Sequence, residues 1–255
     1  MGNTDISSEP RLDRRWPWLV AGTLLVLAGL AAGVASYLWW LPCRGQMLIG
    51  TAWVSGDQVG FSEACLERMD EGTAFPGTGY ALTQTPGLAM ATAATMLLTG
   101  VAWLVLVWTQ IPRLTVGAVL TVPGIMVVGL GGMIAVNPAG PQDGDDVTWL
   151  LVKLLAVALL AALVAIVANR RGRDSIRWLI ALGAVGSFGL VGLLVDYALM
   201  VSWSEADWDS PPGSGYPTAV WLVICGLTLM LLSRPGAQRS TPAAPQQVEQ
   251  VDAIA

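Results

Sequence analysis

Residues Trp16 to Trp40 read WPWLVAGTLLVLAGLAAGVASYLWW. None of these 25 positions is charged. As a helix rising about 1.5 Å per residue, the run would exceed the ~30 Å hydrocarbon core of a bilayer. It follows the arginines Arg11, Arg14 and Arg15. It lacks the short apolar core and small-residue cleavage site of a signal peptide. It is therefore expected to stay as the first transmembrane helix. Tryptophan stands at both ends (Trp16 and Trp18, then Trp39 and Trp40), where an interfacial aromatic belt would place it.

Working outward, five further apolar runs are expected to span: 87–109, 114–136, 148–168, 178–202 and 216–233. Pro86 opens the second. The turn Gln110, Ile111, Pro112, Arg113 is short, so the second and third form a hairpin. Pro123 near the middle of the third predicts a kink, because proline removes a backbone donor. Pro217 falls in the first turn of the sixth, where proline is tolerated. The expected fold class is an all-α membrane protein with six transmembrane helices. A polar loop, 41–86, separates helices one and two. The N-terminal tail is 1–15, and the Pro, Ala and Gln-rich tail 234–255 is expected to be disordered.

Composition agrees. Of 255 residues, 54% are hydrophobic and 12% charged, against about 25% charged in soluble domains. Histidine is absent, which removes the usual general base and the commonest metal ligand. The few basic residues sit at the ends of apolar runs, so nucleic acid is not an expected partner; the bilayer is. Arginine sets the orientation. With the N-terminus inside, Arg11, Arg14, Arg15, Arg113, Arg170, Arg171, Arg173, Arg177, Arg234 and Arg239 are cytoplasmic, and only Arg44 and Arg68 are outside. That asymmetry is a positive-inside signal for both termini in the cytoplasm of a plasma membrane.

Cys43 and Cys65 both fall in the loop expected outside, where a disulfide persists. They are expected to bridge and to staple a small cap. Lys153 and Asp196 are the charges set well inside helices, on neighbouring spans near the outer face. Intramembrane ionisable residues are functional candidates by default, so an interhelical ion pair is expected, with snorkelling of Lys153 as the alternative. Gly29 and Gly33 form a GxxxG spacing, and Gly183, Gly186, Gly189 and Gly192 recur every third residue. Small residues allow close helix packing in lipid; a pore lining or a broken helix is the other reading. Asp143, Asp145, Asp146, Asp207 and Asp209 are weak candidates for a hard cation. Solvated charge is the default, and no metal or cofactor is expected. Cys225 reads as a small hydrophobe.

Catalytic signatures are missing. Gly186-Ser187-Phe188-Gly189 has the look of a serine motif, yet that chemistry needs a histidine partner. The leading expectation is a non-catalytic integral membrane protein acting through protein contacts, as an accessory subunit or envelope factor, with a membrane-protein partner or a second copy. The alternatives are a small transporter or channel using Lys153 and Asp196, and an outer-face sensor or binding protein. The segments LPCRG and ACLERMD, in a chain whose basic residues are almost all arginine, resemble a loop of uncharacterised actinobacterial polytopic membrane proteins. The resemblance implies no activity.

Overall fold

The computed structural model describes residues 15–44, 53–54, 57–58, 62–70, 85–111, 114–136, 145–169, 173–204 and 213–233. Its helices are α1 (Trp16–Trp39), α2 (Glu63–Asp70), α3 (Pro86–Gln110), α4 (Leu114–Val136), α5 (Asp145–Asn169), α6 (Arg173–Gly186), α7 (Leu190–Ser204) and α8 (Tyr216–Ser233). A 3-10 turn, Leu41–Cys43, follows α1, and Trp53–Val54 pairs antiparallel with Asp57–Gln58. The two tails and the segments 137–144 and 205–212 lie outside the described residues.

Four helices are long and apolar enough to cross a membrane: α1, α3, α4 and α8. They pack in the order α8, α1, α3, α4. Thr85 starts α3 by accepting from Leu88 N–H at 3.3 Å, with Pro86 in the first turn where no donor is lost. Pro123 is accommodated within α4, and the Trp103 indole N–H donates to the nearby Leu120 carbonyl.

Glycine sets the closest seam. A Cβ on Gly22 would lie 2.7 Å from the Gly226 carbonyl, and one on Gly226 would lie 2.5 Å from the Gly22 carbonyl. Gly29 meets the Ala219 carbonyl in the same way, at 2.7 Å. The α1–α8 seam thus uses Gly22 and Gly29, two turns apart. Gly33, the other half of the GxxxG spacing, faces open space.

The expected fifth span is not one straight helix. α6 and α7 meet at Ser187–Gly189 with a bend of 75°. Glycine permits the break. Gly192 passes so close to the break that a Cβ there would lie 2.5 Å from the Ser187 backbone. The Ser187 hydroxyl donates to the Ala184 carbonyl at 2.7 Å, closing the end of α6. The pair still runs the length of α8. Arg177, at the start of α6, donates to the Leu232 carbonyl in the last turn of α8, and Asp196 of α7 bonds to the start of α8. Counted as one broken span, the bent pair brings the membrane-capable helices among the described residues from four to five. The expected fourth span falls on α5, whose described apolar portion, Lys153–Ala168, is shorter than a full crossing.

The tryptophans also depart from expectation. Trp18, Trp39 and Trp40 are buried in the bundle instead of forming an interfacial belt; Trp16 is exposed. Trp178 takes Trp18 and Trp103 edge-to-face at 5.4 and 5.6 Å, locking α1, α3 and α6 together at the end away from the cap. Each large ring gains more contact inside the helix seams than at a surface.

Candidate functional site

Two features stand out: a buried carboxylate beside a large cleft, and a stapled cap at the same end of the bundle.

The start of α8 explains the carboxylate. Gly213 and Gly215 have φ of 92° and 93°, a conformation that favours glycine. Gly215 precedes the helix and has no side chain with which to cap it. Tyr216 N–H is satisfied by the Gly213 carbonyl at 3.1 Å, and Pro217 has no N–H. The N–H groups of Gly215 and Thr218 are left. Asp196 supplies the acceptor from α7: Oδ2 takes Gly215 N–H at 2.8 Å, and Oδ1 takes Thr218 N–H and Thr218 Oγ1–H, both at 3.2 Å. Asp196 is 3% exposed. It also sits at the positive end of the α8 dipole.

The expected ion pair with Lys153 is not formed. Lys153 is exposed on α5 and makes no ion pair among the described residues, while the carboxylate is occupied by α8. Two peptide N–H groups and the Thr218 hydroxyl, already fixed by the fold, satisfy Asp196 without desolvating an ammonium group.

Beside Asp196 lies a cleft of about 1340 Å³ between α5, α6, α7 and α8. Its walls are almost wholly apolar. Leu160, Val191, Val195, Leu199, Val220 and Ile224 line it and are also exposed, so it opens sideways from the bundle. At the cap end the lining changes to Tyr37, Trp40, Arg44 and Tyr216. Sequence reasoning counted Arg44 only toward orientation. The cleft lies beside the break, which the spacing of Gly183, Gly186, Gly189 and Gly192 offered only as the alternative to close packing.

The cap rests on the Cys43–Cys65 disulfide, whose Cα atoms are 4.7 Å apart. Both cysteines are buried with Ala35, Trp39, Trp40, Met69 and Leu88. The Arg68 guanidinium lies 4.7 Å from the centre of the Trp39 ring. Trp40 ties the cap to α8 by donating its indole N–H to the Ser214 carbonyl at 2.9 Å. No known protein family, curated protein or solved structure matches this chain.

The carboxylates weighed for a cation give nothing to describe. Asp143, Asp207 and Asp209 lie outside the described residues, and Asp145 and Asp146 are placed only by their backbone at the start of α5. Ser187 spends its hydroxyl on the last turn of α6. Cys225 is a free thiol buried in the α8 core.

Proposed function

We propose that this is a non-catalytic, six-span protein of the bacterial plasma membrane that acts through protein contacts, as an accessory subunit or envelope factor. In this reading α5 crosses as the sixth span, both termini are cytoplasmic and the cap is outside. The arginine asymmetry supports the orientation. The carrying observation is the cap. Its helix α2 turns Cys65 and Met69 inward and leaves Glu63, Ala64 and Glu67 exposed. A contact face held by a disulfide and a cation–π contact has met its ordering cost in folding, before any partner arrives.

The test is a photo-crosslinking amino acid at Glu67 in living cells. A single membrane-protein adduct in high yield, absent when the probe is moved to the buried Met69, supports the reading. Adducts spread thinly over abundant proteins would defeat it. The transport alternative rests on Lys153 and Asp196. The hydrogen bonds that engage Asp196 with α8 favour a structural role instead. Solute flux in proteoliposomes, lost in Asp196→Asn while the fold persists, would reverse that preference.

A further inference from the structure

We propose that the cleft between α5, α6, α7 and α8 holds one anionic phospholipid of the surrounding bilayer, with its acyl chains in the apolar body and its phosphate at Arg44. The inference is independent of what the cap binds. It needs only that the bundle sits in a membrane.

The first argument is volume. At about 1340 Å³ the cleft exceeds the ~300–1,000 Å³ of ordinary small-molecule sites. It opens sideways through residues that would face lipid, including Val191, Val195 and Val220. Empty, its lining would lack partner atoms. Water would find few polar groups to bond, and an ordered water needs two to four. Acyl chain is the filler at hand.

The second argument is where the polar groups are spent. Inside the cleft, Ser187 donates to Ala184, the Trp221 indole donates to the Gly183 carbonyl at 3.1 Å, and Thr218 and Asp196 bond to each other. A polar solute in the cleft body would break these bonds or gain none. At the cap end the position is reversed. Arg44 and the hydroxyls of Tyr37 and Tyr216 line the mouth, and among the described residues they have no side-chain hydrogen-bond partner. All three donate, and one is a permanent cation. The Asp196 carboxylate is the acidic group of the lining, and its oxygens are engaged by α8. A long apolar body with a donor-rich, cationic mouth is complementary to a phosphate-headed lipid in the leaflet on the cap side. A zwitterionic headgroup would gain less from that mouth, because its own cation sits beside its phosphate.

The experiment is native mass spectrometry of the full chain in mild detergent, with dioleoyl phosphatidylglycerol and dioleoyl phosphatidylcholine supplied together. The expected result is one retained phospholipid per chain, with phosphatidylglycerol favoured roughly fivefold, the scale of a single partly exposed cation–phosphate contact. Arg44→Gln, at an exposed position, should keep the lipid and bring the preference close to parity. Val195→Trp should fill the cleft and remove the lipid. Leu160→Trp does the same from α5, so a folding failure of one leaves the other. No stoichiometric lipid, equal retention of the two headgroups by the unmodified chain, or full retention by both tryptophan variants would overturn the proposal. So would a protein helix found in the cleft in place of lipid.

Discussion

Gly215 has a backbone conformation that a side-chain-bearing residue adopts only with strain, so the residue just before α8 cannot also cap it. Asp196 fills that gap from another helix. Replacing it by Asn keeps one acceptor but swings an amide donor toward the peptide N–H groups. Asp196→Asn is expected to lower unfolding free energy by about 1–3 kcal/mol, the cost of a buried hydrogen-bonding group left unmatched. Lys153→Gln should leave the melting temperature in detergent unchanged, because Lys153 is exposed and the carboxylate does not depend on it. Equal losses in the two variants would restore the ion pair. Thr92 offers the opposite sign. It is fully buried on α3, and its hydroxyl has no hydrogen-bond partner among the described residues. Thr92→Val keeps the shape and removes an unsatisfied group, so thermal unfolding should shift upward, by about 1 kcal/mol or more in stability. From the sequence Asp196 was legible as a buried charge with a task. Its partner was not, because peptide N–H groups carry no residue signature.

Helix ends were legible because apolar runs stop at Pro, Arg and acidic clusters. The expected spans and the observed helices agree within a few residues at most boundaries. The glycines were legible as small residues but not as contacts. Whether a glycine meets a neighbour depends on rotation about the helix axis, which composition does not fix. Gly226→Ala is expected to force α1 from α8 and cost roughly 1–3 kcal/mol, as overpacking typically does. Gly33→Ala, four residues beyond Gly29 and facing open space, should be neutral or slightly stabilising. Comparing the two melting temperatures checks both. The break at Ser187–Gly189 escaped a hydropathy reading for a related reason. The residues on either side are as apolar as those of a straight helix, and the bend follows from a glycine-to-backbone approach across one turn.

Across the whole molecule, the cap, the α1 terminus and the start of α8 form one joined end, through Cys43–Cys65 and the Trp40–Ser214 hydrogen bond. Reduction should loosen that end first. The bridged cysteines are 22 residues apart, and opening such a loop is expected to cost roughly 3 kcal/mol through chain entropy. A reductant should therefore lower the unfolding temperature of the native chain and leave a Cys43→Ser/Cys65→Ser variant unaffected. The cysteine pair was legible from two residues in one loop expected outside. The cleft was not, since it arises from how four separate helices leave space between them.

Asp196 also constrains the order in which the chain is built. Its donors lie 19 and 22 residues further along, so they leave the ribosome only after α7 has done so. A nascent chain halted before Gly215 would present the bilayer with a carboxylate lacking every bond that satisfies it in the finished protein, a placement costing about 2.5–3.5 kcal/mol at the centre of a span and less toward the outer face, where Asp196 lies. The two final helices are therefore expected to leave the insertion machinery as a hairpin, with α7 waiting in its shelter until α8 arrives.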